Sequence, residues 1–129
     1  MFTIEQITEA HSKVKSGADF PAYIQELKKI GVTHYETFVA DGHTNYYGTN
    51  NYKITSPVKY ETLTIAEVSN KERFIADLKI HQNGKTDYLT FCNDSSRAGI
   101  EKWSVSMDEM TCTYFDKAGN KILAEEIPQ

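Results

Sequence analysis

The strongest constraint on this chain is an internal spacing. At a constant displacement of 68 residues, Asp19 meets Asp87, Phe20 meets Tyr88, Gly31 meets Gly99, Val32 meets Ile100, Tyr35 meets Trp103 and Tyr46 meets Tyr114. The pair Lys53-Ile54 meets Lys121-Ile122 in the same register, with no gap from the first match to the last. Five of these eight pairs are identities, which alone would be weak evidence. Helix caps, helix-stopping glycines and aromatic positions coincide together, and a supersecondary unit used twice must keep those features to fold the same way.

Local signals spell out the unit. Thr3 with Gln6 forms a capping-box pattern, and Ile4, Ile7, Ala10, His11 and Val14 trace one helical face that Gly17 ends. Asp19 is placed to cap a second helix, with Phe20, Tyr23, Ile24, Leu27 and Ile30 as its buried stripe and Gly31 as its stop. From Val32 the period changes to two, predicting strands over "VTHYETFV", around Thr44 to Tyr47, and over "YKIT", divided by Asp41-Gly42 and Asn50-Asn51. After the connection "SPVKYETLTIAEV", Ser69 and Glu72 read as another capping box. Asp87 then caps a helix that Gly99 stops, and "IEKWSVSM", "MTCTYF" and "KILAEEI" read as strands. The expectation is an α+β fold in one domain, residues 1–129. It is a tandem duplication of an ααβββ unit, with pseudo-repeats 3–55 and 71–123, an antiparallel sheet and helices packed on one face.

At 129 residues the chain is sized for one core. A net charge of −4, with no clustered Lys/Arg run, gives no footprint for a phosphate backbone, so no nucleic acid partner is expected. The start "MFTIEQITEAHSK" lacks a secretory pattern and no apolar run reaches a membrane span. The expected location is cytoplasmic, with no membrane partner and with Cys92 and Cys112 as free thiols.

The stretch "HQNGKTDYLTFCND" offers His81, Asp87 and Cys92 in one short run, the ingredients of a nucleophilic cysteine. The repeat dissolves the set. His81 falls opposite Lys13 in a last helical turn, where a basic side chain is commonly solvated; Asp87 is a cap, and Cys92 falls opposite Ile24 in a buried stripe. Cys112 shares a face with Trp103, Val105, Met107, Met110 and Tyr114, which reads as core. No paired C-x-x-C or H-x-x-x-H spacing is present, so neither a metal nor another cofactor is expected.

The combination "HQNGKTDYLTFCNDSSRAGIEKW" followed by "MTCTYFDKAGNK" resembles the YbcV-like group, small uncharacterised bacterial and phage-associated proteins often labelled phage envelope protein. The resemblance covers most of the chain and is more specific in the second unit. It implies a single domain of unknown activity and brings no catalytic or cofactor residue with it.

The two hairpins differ on the face away from the core. Pairing Val39 with Gly42 puts Phe38 beside His43, Glu36 beside Asn45 and His34 beside Tyr47, whereas the second hairpin carries Lys102, Ser104, Ser106, Thr111, Thr113 and Phe115 there. His34, Glu36, Phe38, His43, Asn45 and Tyr47 are therefore the candidate ligand-binding residues, and a small-molecule binder would show a concave pocket by His34, Glu36, Tyr47 and Tyr52. A metal held by both histidines is excluded, because the four-residue stagger separates them by roughly 13 Å. Three functions remain: small-molecule binding, self-association as a homodimer through the same face, or an enzyme using His34 and Glu36 as acid and base. With no nucleophile, metal set or phosphate loop in the sequence, a binding or interaction module ranks above an enzyme.

Overall fold

The computed structural model describes residues 1–15 and 17–128. Among them are four α-helices and one six-stranded antiparallel sheet, an α+β single-domain fold. The elements run α1 (Ile4–His11), a 3-10 turn (Gly17–Asp19), α2 (Phe20–Lys29), β1 (His34–Phe38), β2 (Thr44–Tyr47) and β3 (Lys53–Thr55). Then come α3 (Lys71–Gln82), α4 (Tyr88–Arg97), β4 (Ile100–Ser106), β5 (Thr111–Asp116) and β6 (Lys121–Glu126). The order ααβββ thus occurs twice, and α2 and α4 coincide end for end at the 68-residue displacement.

The sheet order is β3-β2-β1-β4-β5-β6, so the two hairpins meet through their first strands. At that junction Glu36 pairs with Ser104, its own counterpart in the other half. His34 pairs with Ser106, the counterpart of Phe38, and Phe38 pairs with Lys102, the counterpart of His34. Exchanging the halves leaves this pairing unchanged, as in an isologous contact between two subunits. The equivalence holds through the hairpins, since Tyr35 pairs with Tyr46 as Trp103 pairs with Tyr114. It slips at two places: between Ile100 and Lys102 in the β4–β5 pairing, and between Tyr114 and Phe115, where the pairing of β6 moves by one residue.

Capping explains most element boundaries. Thr3 and Gln6 form the reciprocal capping box of α1, and the Asp87 carboxylate accepts from the Thr90 N–H at 2.8 Å. Three expectations need correction. Helix α1 ends at His11, before Val14. Asp19 does not cap with its side chain, because its carboxylate takes the Lys15 N–H at 3.0 Å and Pro21 starts the helix. Helix α3 is capped by Asn70, whose side chain accepts from the Arg73 N–H at 3.1 Å, rather than by Ser69. Ser69 instead packs against Gly99 (φ +82°), where an added Cβ would come within 2.7 Å of the Ser69 Cα.

The helices cover one sheet face. Phe74 of α3 lies 4.8 Å from the Tyr114 ring, and Phe91 of α4 lies 5.6 Å from Trp103. Phe74, Ile24, Leu27, Ile100 and Val105 have at most a trace of exposed surface, each burial being worth about 1.5–3 kcal/mol. The segment between the halves is stitched to both: Tyr60 Oη donates to the Val39 carbonyl at 2.6 Å, and the Ala66 and Asn70 N–H groups reach the Ser96 and Ala98 carbonyls. Phe2 is buried against Tyr52, whose hydroxyl donates to the Phe2 carbonyl at 2.7 Å.

Candidate functional site

The outer sheet face carries the residues singled out from the sequence, in the expected register: His34 opposite Tyr47 and Glu36 opposite Asn45. The rings stack in two pairs, His34 on Tyr47 at 4.4 Å and Phe38 on His43 at 4.7 Å, both nearly parallel. Each polar group has its own local partner. Glu36 holds the Lys102 ammonium at 2.7 Å, Asn45 accepts from the Thr55 hydroxyl at 2.7 Å, and His34 Nδ1 lies 3.1 Å from Thr33 Oγ1. His43 Nδ1 meets Asp41 Oδ1 at 2.5 Å. Burial opposes ionisation of Asp41, but the His43 backbone and ring outweigh it and hold the carboxyl below its usual range. Tyr52, expected by a concave pocket, is engaged with Phe2.

The large concavity of this fold lies on the other side of the sheet. Between the helices and the inner strand faces is a partly open chamber of about 940 Å³. None of His34, Glu36, Phe38, His43, Asn45 and Tyr47 lines it. The sheet supplies a floor of Tyr35, Tyr46, Trp103 and Tyr114, while Tyr23 of α2 and Tyr88 and Phe91 of α4 form walls. The alternation of each strand aims these rings inward. The short helices α1 and α2 and the 3-10 turn roof over the floor without filling the space beneath. The volume is near the upper end of ligand pockets, which run from roughly 300 to 1,000 Å³ and combine apolar walls with a few placed polar groups.

The polar groups of its floor and walls include phenols and the Cys112 thiol, whose charged forms the chamber disfavours. Burial pushes the Tyr35 phenol well above its ordinary value, with the neighbouring Tyr23, Cys112, Tyr46 and Tyr88 adding to it. Burial raises Tyr23 and Tyr114 as well, and it pushes the Cys112 thiol up to about 12. These groups are neutral hydrogen-bonding groups at neutral pH, not acids or nucleophiles. Tyr35 is the informative one: among the described residues its hydroxyl has no hydrogen-bond partner, although the residue is only 5% exposed. Tyr35 lines the chamber, and among the described residues the fully buried side-chain oxygens without a partner are Asp77 Oδ2 and Ser95 Oγ. A tyrosine hydroxyl so placed is suited to bond to something that occupies the space.

The cysteine run resolves accordingly. Cys92 is fully buried, with Tyr60, Tyr88 and Lys59 around it, and its thiol is raised by burial. His81 does not serve it. The imidazole stacks on Phe91 at 4.4 Å and its Nδ1 meets the Thr86 carbonyl at 3.1 Å. A carbonyl only accepts, so Nδ1 carries the proton in this bond. The half-buried His81 lines the chamber and is not the solvated helix-end base that its position opposite Lys13 suggests.

Sequence reasoning missed the chamber. Its lining includes Lys59 and His11, which no motif marks, and its floor consists of positions that alternation labels as core.

Among the described residues, no helix is long and apolar enough to cross a membrane, and no three or more His, Cys, Asp or Glu side chains are grouped to hold a metal ion. A search of curated proteins returns no match. Comparison with protein families matches residues 8–126 to the family described as "Protein of unknown function (DUF1398)", and carries neither the YbcV-like name nor a phage envelope role. The chain belongs to the DUF1398 family.

Proposed function

We propose that this protein is a small-molecule-binding module whose ligand occupies the chamber between helices and sheet. The observation that supports the reading most is Tyr35, which lines a space of about 940 Å³ among aromatic walls and whose hydroxyl has no partner among the described residues. A filled core of this size would close over such a group or give it a partner. The aromatic floor favours a flat apolar body, and the phenols favour at least one hydrogen-bonding group on it. The YbcV-like resemblance and its phage label add no residue to this reading.

A second reading keeps function on the outer face, as self-association in a homodimer or as ligand capture. The two stacked pairs, His34–Tyr47 and Phe38–His43, favour it, because they leave aromatic faces beside an ion pair on a sheet surface without helices. The enzyme alternative ranks below both, since Glu36 is engaged with Lys102 and His34 with Thr33 and Tyr47. The tandem duplication belongs here too, supported by the coincident bounds of α2 and α4 and the self-complementary β1–β4 pairing.

A metabolite library screened by thermal shift separates the readings through two variants. Cys112→Phe places a ring in the chamber, and the triple change of His34, Glu36 and His43 to alanine strips the outer face. Ligands that stabilise the wild type should be lost in Cys112→Phe and kept in the triple variant. The opposite pattern would move the site to the outer face.

A further inference from the structure

The chamber's charges are unevenly distributed. Two of the basic side chains of its lining, Lys59 from the segment between the halves and His11 from the last turn of α1, sit against its aromatic walls, the His11 ring 5.2 Å from that of Tyr23. Among the described residues, neither makes an ion pair with a carboxylate, although Lys13, Arg73, Arg97, Lys102 and Lys117 each do. The Lys59 ammonium instead lies 5.5 Å from the centre of the Tyr88 ring, at the chamber wall. The acids of the lining are Asp87, Glu125 and Glu126, and two of them have partners of their own. Asp87 caps α4, and Glu125 takes the Gln82 amide and lies near Cys112 and Tyr114.

The Lys59 ammonium at the rim of the aromatic chamber opposes ionisation of the His11 imidazole. Burial lowers the Lys59 ammonium below its usual range, and burial first, then Lys59, lowers His11. An anion placed beside them would favour protonation of His11 and gain a charge-assisted contact with Lys59. The apolar walls below suit the remainder of the same molecule.

We infer that the chamber takes an organic anion with a flat apolar body, its anionic group seated between Lys59 and His11 and its body on the Tyr35–Tyr46–Trp103 floor. This rests on the chamber being the binding site and adds the chemical class of what enters it. The chain as a whole carries a net charge of −4, so attraction of an anion has to be local to this pair.

Two fluorescent probes sharing one anilinonaphthalene body test the inference: N-phenyl-1-naphthylamine, which is uncharged, and 8-anilinonaphthalene-1-sulfonate. Both are titrated into the full chain and into Lys59→Met, Lys59→Arg and His11→Gln. The expected result is saturable binding of both probes to the wild type. Lys59→Met should weaken the sulfonate about tenfold, the worth of one charge-assisted contact. The same variant should leave the uncharged probe within about twofold, which also reports that the chamber is intact. Lys59→Arg should retain most of the sulfonate affinity, and His11→Gln should lose part of it. If Lys59→Met leaves the ratio of the two affinities unchanged, the anion site is overturned while the chamber stands. If neither probe binds the wild type, the chamber reading falls and the anion site with it.

Discussion

Removing a hydroxyl from Tyr35 and from Tyr60 should have opposite consequences. Tyr60 Oη donates to the Val39 carbonyl at 2.6 Å, Val39 has no exposed surface, and no other donor among the described residues reaches that carbonyl. Tyr60→Phe therefore leaves a buried acceptor empty, at a cost of about 1–3 kcal/mol. For a domain of this length that is a fall in Tm of roughly 3–10 °C. Tyr35 Oη has no partner among the described residues to abandon, so Tyr35→Phe removes a polar atom from an apolar wall and should shift stability by no more than about 0.5 kcal/mol. Both substitutions delete a single oxygen and keep the ring, so cavity and packing effects largely cancel between them. Equilibrium denaturation in urea, with the slope held common to both variants, gives the difference directly. Equal losses for the two variants would show that the Tyr35 hydroxyl is structurally bonded, and the argument that it awaits a ligand would fail.

The pseudo-equivalent glycines offer a second contrast. Gly31→Ala meets only the Phe2 ring at 3.9 Å and should cost about 1–2 kcal/mol from its positive φ. Gly99→Ala also meets Ser69 and Val68 backbone atoms at 2.7–3.0 Å, and should cost about 1–3 kcal/mol more by urea denaturation. Cys92 and Cys112 should label slowly with a thiol reagent at pH 8, since burial raises both thiols; fast labelling of native Cys92 would restore its candidacy as a nucleophile. His81 is lowered from 6.5 by burial, against the Thr86 bond and the charges of Asp87 and Asp94. The unfolded chain then binds the proton first, so stability is full above about pH 6.5 and declines as pH falls toward the folded value. His81→Phe, which keeps a ring on Phe91, should flatten that decline in Tm measured from pH 7.5 to 5.

Caps, glycine stops and strand alternation are local, which is why the four helices, the six strands and the Tyr35–Tyr46 register could be read from the residues themselves. Asn70 displaced Ser69 as the cap of α3 because either can accept from an N–H three residues on, and the choice depends on where Gly99 forces the chain to pass. The bulge in β6 has no marker in "KILAEEI". The chamber was hidden for a different reason. Alternation places Tyr35, Tyr46, Trp103 and Tyr114 on the face toward the helices but does not say how far away the helices stand. Separation is set by the short α1 and α2 and by the close approach of Gly17 to the end of α3, where an added Cβ would lie 2.6 Å from the Gln82 carbonyl oxygen. His81 read as a solvated helix end because its stack on Phe91 joins two helices across a turn.

On the function proposed above, the inner face of the sheet, not the outer one, receives a small molecule. The most direct measurement is a set of intermolecular nuclear Overhauser effects between N-phenyl-1-naphthylamine and the aromatic side chains of the full protein. The predicted result is contacts to the Trp103 indole and the Tyr35 and Tyr46 rings, with none to His34, Phe38 or Tyr47. Contacts confined to the His34–Tyr47 and Phe38–His43 stacks, or no saturable contact at all, would contradict it.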